Sequence, residues 1–224
     1  MSASVSGARD EVLARVRAAT SDVTTAPRPG GNNRPIGHEV LDERDKVLDL
    51  FAENVADYRA EVVRVDAADV AAAVADVLMR RGLGSVVVPA GLDASWSAAL
   101  ADVADVVAES EAGSAAELDR IDAVVTASAV GIATTGTIVL DHGPDQGRRE
   151  LTLVPDTHVC VIRDDQVVHD VPEAVARLGG EAHRGRPLTW VSGPSATSDI
   201  ELQRVEGVHG PRTLVVVIAA GAAS

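Results

Sequence analysis

The sequence predicts an α/β fold built on a largely parallel sheet, and three observations carry that expectation. Short apolar runs alternate with helical patterns between about residues 61 and 126, the βαβα rhythm of parallel strands covered by helices. Two runs, 85–89 and 213–219, are apolar without alternation, as in strands buried on both faces. The apolar content rests on Ala and Val, with one Phe, one Tyr and two Trp in 224 residues. Such side chains favour close packing of helices on strands.

Taken in order, residues 8–19 read as a short amphipathic helix with Val12, Leu13 and Val16 on one stripe. Residues 24–37, dense in Pro, Gly and Asn, read as an extended linker. Residues 1–37 are therefore expected to form a helix and linker ahead of a single α/β domain at 38–224. That helix either folds back on its domain or packs on a partner. Residues 39–59 carry a second helix, with Val47, Phe51, Val55 and Tyr58 at helical spacing. A strand at 61–65 precedes a helix that Asp66 caps and Gly82 stops.

After the strand at 85–89, residues 94–101 read as helical and 105–108 as a short strand. Ser114-Ala-Ala-Glu117 is a capping-box pattern opening another short helix, and 123–126 is the next strand. Strands at 137–140 and 157–162 follow, and 166–169 is expected to pair with 157–162 across the Asp164-Asp165 turn. Pro172 opens a helix ending near Leu178. A loop at 179–187 then leads to strands at 188–191 and 213–219.

The net charge of −14 excludes the basic face that nucleic acid requires and argues equally against anionic lipid. Lys46 is the only lysine, and aspartate outnumbers glutamate. High-GC codon usage and a salt-adapted cytoplasm each account for this bias. Cys160 is the only cysteine, so the chain builds neither an internal disulfide nor a thiolate-ligated cluster. The start lacks the apolar core of a signal peptide, and no run approaches membrane-spanning length. A cytoplasmic protein is expected.

Two hydroxyl-rich loops follow strands. Gly131-Ile-Ala-Thr-Thr-Gly-Thr137 places Thr134, Thr135, Gly136 and Thr137 where hydroxyls and backbone N–H groups can cradle a phosphate or carboxylate. It lacks the lysine of a Walker loop and the spacing of a dinucleotide fingerprint. Its plainer reading is a tight connection in which threonines satisfy local backbone. The second loop runs from Ser192 to Glu201 and offers Ser192, Ser195 and Thr197 as ligand contacts. Within it, Ser198-x-x-Glu201 is also a capping box, so capping alone explains the pattern equally well.

Of Arg148 and Arg149, one is suited to clamp an anion bidentately, and at least one is expected to pair with nearby acids instead. We assign the clamp to Arg148. His209, between Gly207-Val208 and Gly210-Pro211, is an acid–base candidate on a turn, with Glu201 as the carboxylate of the same region. His142 and His158 join it only if the fold brings them together. Cys160 sits in an apolar run and reads as a small core residue. No spacing points to a metal site, and no cofactor is expected.

These blocks together resemble the lactate utilization (LUD) domain family. The similarity lies in Gly131-Ile-Ala-Thr-Thr-Gly-Thr-Ile-Val-Leu140, Arg148 and Arg149, Leu153-Val-Pro-Asp-Thr-His158, and in the later Ser192–Glu201 and Gly207–Pro211 segments, which resemble its cluster-free C-type members. The resemblance spans roughly residues 40–220. It implies a Rossmann-like three-layer sandwich similar to CoA transferases and ribose-5-phosphate isomerases. It also implies a role in L-lactate oxidation to pyruvate as a subunit without its own redox centre, working with iron–sulfur subunits and binding a small anion. Many members carry glutamate where this chain has Thr134, which weighs against an independent hydrolytic or transferase activity. Two other readings stay open: a stand-alone isomerase or acyl transferase using Glu201 or Asp199 as base, and a structural partner docking through residues 8–19.

Overall fold

In the computed structural model, the residues described are 5–19, 21, 43–180, 183, 185–194, 196–197, 205–206 and 210–221. The chain divides into two units, 1–36 and 37–224. In the first, α1 spans Val5–Ala19, three residues longer at its start than the stretch expected at 8–19. The linker expected at 24–37 lies outside the described residues.

The second unit starts its described part with α2 (Arg44–Asp57) and then β1 (Glu61–Asp66). Next come α3 (Val70–Arg81), β2 (Ser85–Val88), α4 (Ala94–Ala101) and β3 (Asp105–Ala108). They are followed by α5 (Ala115–Leu118), β4 (Ala123–Thr126), β5 (Val130–Ile132), β6 (Thr137–Leu140) and β7 (Thr157–Arg163). The chain continues through β8 (Val167–Val168), α6 (Val171–Leu178) and β9 (Thr189–Val191). Two short strands, β10 (Ala196–Thr197) and β11 (Val205–Glu206), pair with each other before β12 (Thr213–Ala220).

The main sheet has the order β1-β12-β7-β4-β2-β3, and its pairs are parallel. This order explains the apolar runs. Strands β7, β4 and β12, with partners on both sides and layers above and below, are buried along nearly their whole length. The edge strands β1 and β3 are only half-buried. Odd-numbered residues of β7 and β12 (Val159, Val161, Val215, Val217) pack under α3 and α4 through Val74, Leu78 and Leu100. Even-numbered ones (Cys160, Ile162, Val216, Ile218) pack under α2 and β6 through Phe51, Val55, Ile138 and Leu140.

The second face departs from a simple helical layer. A small sheet of order β8-β5-β6-β9 lies there beside α2, and α6 covers its outer side through Ala174 and Leu178 against Val130, Ile132 and Val139. The expected pairing of 166–169 with 157–162 is corrected here. Val167 and Val168 pair in parallel with Gly131 and Ile132 instead. The turn at Asp164–Gln166 folds into a 3-10 helix, which turns the chain out of the main sheet rather than back along β7.

Asp66, expected to cap α3, makes no side-chain cap bond and is followed by a 3-10 turn, Ala67–Asp69, before Val70, whereas the C-terminus of α3 and the start of α5 fall where the sequence placed them. Gly82 adopts φ 65° after α3, with Gly82 N donating to Met79 O and Leu83 N to Leu78 O, a Schellman closure. At α5, Ser114 N donates to Glu117 Oε2 at 2.8 Å while Glu117 N donates to Ser114 Oγ at 3.3 Å. That box holds the four-residue helix whose Leu118 is fully buried with Val87 and Val124. Ser114→Ala is expected to cost about 1 kcal/mol, read as a lowered urea midpoint at unchanged slope.

Candidate functional site

The two hydroxyl-rich segments meet. Thr135 Oγ1 donates to Thr137 Oγ1 at 2.8 Å, and Thr137 Oγ1 lies 2.8 Å from Ser192 Oγ. The 3-10 turn Ala133–Thr135 ends on Gly136 at φ 56°, and that glycine lies flush on α2. A Cβ there would come within 2.6 Å of the Asn54 carbonyl carbon, and Asn54 Nδ2 donates to Ala133 O at 2.8 Å. Gly193, at φ 81°, rests as closely on Tyr58. Two N–H groups of the first loop are engaged internally, Thr134 N with His169 O and Gly136 N with Ala133 O. Thr134 and Thr135 line a recess of about 230 Å³ with Asn54, Asp57 and Tyr58.

Ser192 opens elsewhere, onto a groove of about 350 Å³. Its floor is His158 and Leu214, the second residues of β7 and β12. One wall is the turn carrying Arg149, Thr152 and Leu153, and the other is the edge strand β9 with Ser192, Gly193 and Pro194. Gly210 and Pro211 close one end. The groove therefore sits at the amino end of the main-sheet strands. Loops that follow strands of the main sheet would instead lie at its carboxyl edge, where α/β proteins commonly bind ligands.

The arginine pair divides. Arg148 Nη1 donates to Glu109 O at 2.9 Å, its Nη2 donates to Ala112 O, and its backbone N reaches Glu109 Oε1 at 2.9 Å. It ties the 141–148 loop to the end of β3 and does not join Thr135, Thr137 or Ser192. Arg149 is exposed on the groove wall, and its guanidinium has no hydrogen-bond or ionic partner among the described residues.

His158 is 2% exposed, with Nε2 2.8 Å from Thr126 Oγ1. Burial pushes its pKa down to about 4, so the imidazole is neutral at pH 7. Burial also pushes the neighbouring Cys160 thiol up to about 12, which leaves it inert as a nucleophile.

The β9 wall is fixed from its approach. Burial raises the Asp141 carboxyl, but bonds from His183 Nδ1 at 2.7 Å and Arg186 Nη1 at 2.8 Å outweigh it and hold the group below the usual carboxylate range. His142 bridges Gly147 O at 3.1 Å and Thr189 Oγ1 at 2.8 Å. Of the remaining sequence candidates, Thr197 contributes backbone to the β10–β11 pair. Ser195, Glu201 and His209 lie outside the described residues.

From the sequence the clamp falls to Arg148 and His158 is only a conditional partner of His209; the structure instead places Arg149 and His158 on the groove. The available signal was a lone histidine inside a strand otherwise filled by Val, Cys and Ile. Among the described residues no three His, Cys, Asp or Glu side chains gather as metal ligands. No described helix is long and apolar enough to cross a membrane.

Fold and site together define an α/β protein whose parallel sheet carries a second small sheet on one face, with a polar-rimmed groove beside the latter's edge strand. The LUD domain matches residues 48–219, and the chain belongs to that family. It is similar to lactate utilization protein C of Deinococcus radiodurans, 51% identical over 177 residues that cover 78% of this chain and 80% of the relative. Lactate utilization protein C of Anoxybacillus flavithermus is 36% identical over 93 residues, 42% of this chain and 41% of that one. The crystal structure of a DUF162 family protein from Deinococcus radiodurans superposes with a TM-score of 0.68 at 44% identity, covering 80% of this chain and 99% of that one.

Proposed function

We propose that the chain serves lactate utilization as a subunit, without its own redox centre, of an L-lactate-oxidising iron–sulfur system, and that its groove holds a small carboxylate. The relatives' names support the metabolic role. A single buried cysteine supports the division of labour, because cluster ligation needs several thiolates and must fall to partner subunits. One observation carries the anion reading. In a chain of net charge −14, the Arg149 guanidinium stands on a groove wall with no carboxylate partner among the described residues, and a planar fork so placed suits a carboxylate ligand.

In this reading Arg149, rather than Arg148, is the counter-charge. Ser192, held from behind by the Thr135–Thr137 hydroxyls, contributes a hydrogen bond from the opposite wall. Thr134 and Gly136 act through the support they give that relay.

Deleting the gene is expected to abolish growth on L-lactate and leave growth on glucose intact, and the wild-type gene should restore it. Arg149→Glu should fail to restore it. In the purified chain the same substitution should weaken carboxylate binding at least tenfold, the worth of one charge-assisted hydrogen bond. Unchanged growth of the deletion strain would reject the role, and full rescue by Arg149→Glu would reject the counter-charge.

A further inference from the structure

The two larger sheets end in β1, β3, β8 and β9, and three of these edges are guarded against further pairing. On β3, Ala108 N donates to Glu111 Oε2 at 3.2 Å. On β8, Val167 O accepts from Arg44 Nη1 at 2.6 Å. Strand β1 carries Glu61, Arg64 and Asp66, charges that oppose strand addition. Strand β9 is different: residues 188–194 include no charge, and Leu188 and Trp190 are exposed. The ladder fixes which of its backbone groups are free. Val139 O accepts from Ala129 N, so Val139 turns its backbone toward β5, while Ile138 and Leu140 turn theirs toward β9. Val191 and Thr189 complete those two rungs. Trp190, between them, points its N–H and C=O out of the sheet, and neither has a partner among the described residues. Residues 189–194 line the groove without a gap, so the groove runs along this open edge.

From this arrangement we infer that β9 takes the C-terminal end of a different polypeptide as an added strand, with the chain-end carboxylate on Arg149. This deepens, and rests on, the carboxylate reading above: the carboxylate is the end of a main chain. Three features select a chain end over a strand that passes through. Gly210 and Pro211 close one end of the groove. The Arg149 guanidinium has no partner among the described residues, and a main-chain terminus supplies a carboxylate whatever its side chains. Leu153, Pro211 and Leu214 offer an apolar surface to the last side chain. Main-chain bonds to Trp190 then give affinity, and the apolar contact with the terminal residue gives selectivity. At about 350 Å³ the groove is at the small end of ligand sites, so it holds only a short segment. A second copy of this chain suits the edge less well, because it brings a further net charge of −14 to the encounter.

Titrating the purified full chain with propanoate and with pools of N-acetyl pentapeptides ending in leucine separates the two readings. The free-acid pool should bind at least tenfold more tightly than propanoate, the increment of two main-chain hydrogen bonds. The same pool as C-terminal amides should bind at least tenfold more weakly than the free acids, and Arg149→Gln should weaken free-acid peptides and propanoate alike. A free-acid pool N-methylated along its backbone should lose its advantage over propanoate, a result that needs no variant of the protein. Hydrogen exchange at the Trp190 amide should slow with the free-acid pool and not with propanoate. Amides binding as well as free acids would overturn the chain end. Peptides binding no more tightly than propanoate, or N-methylated ones binding as well as the rest, would overturn strand addition and keep the anion site. Dimerisation that protects the Trp190 amide without peptide would give the edge to a second copy and overturn the inference. No binding of peptide or propanoate would remove both readings.

Discussion

Gly136→Ala is expected to destabilise the folded chain by about 3 kcal/mol or more, and the effect should not depend on any ligand. Two terms add. The glycine sits at φ 56°, where a side chain costs about 1–2 kcal/mol. The new methyl would also lie 2.6–2.8 Å from the backbone of Asn54 and Val55. Backbone inside a helix cannot rotate aside as a side chain does, so α2 or the loop must shift, at an overpacking cost of roughly 1–3 kcal/mol. For a domain of this size the loss corresponds to a melting temperature lower by about 10 °C.

Calorimetry of the two proteins checks this, with Gly82→Ala as a comparison. Gly82 shares the positive φ but meets nothing within 4 Å, so it isolates the backbone term. Equal melting temperatures for the two variants would show that the loop does not lie on α2. The expected inequality would assign the Ala-Thr-Thr-Gly-Thr block first to packing and only through Ser192 to the groove.

What could be read from the residues follows from how local each cause is. Strands β2, β7 and β12 announce themselves because burial on both faces selects unbroken apolar runs. Gly82 and Ser114–Glu117 mark helix ends through bonds made within a few residues. Strand β5 gave no such signal. Three residues with a glycine in the middle have no readable period, and Gly131 is there because a Cβ would press on Ile162 and Phe51 at 2.6 and 3.1 Å, a condition set by distant chain.

The same holds for β8, whose partner is chosen by the 3-10 turn before it. At the groove, adjacent arginines of identical chemistry part company because a 3-10 helix begins between them. Arg148 is its N-cap and Arg149 its first residue, so they point to different places. The two hydroxyl-rich loops were legible as a pair, and Thr137–Ser192 joins them. Their position at the amino end was not, since it depends on the small sheet laid over the main one.

The largest pH effect is expected at His158. Its folded pKa of about 4 lies below the ordinary value of 6.5, so between those limits the unfolded chain binds a proton that the folded chain refuses. Stability therefore falls as the medium is acidified from about pH 6.5 to pH 4, by up to ~3 kcal/mol, and is unaffected by this group above pH 6.5. Carboxylates add their own losses at lower pH. Glu61, held below its usual value chiefly by the Arg81 hydrogen bond, and Asp141, held there by His183 and Arg186 against the opposing effect of burial, lose their contribution as pH falls through their lowered values.

The interval from pH 6.5 to 5 isolates the imidazole. Urea midpoints of wild type and His158→Gln, a neutral side chain that still offers Thr126 a hydrogen-bond partner, should converge there as the medium is acidified. Wild type should lose about 2 kcal/mol more than the variant. Parallel curves would mean that the folded protein protonates this ring as readily as the unfolded chain does. In that case the burial that keeps the ring neutral in the folded protein is absent.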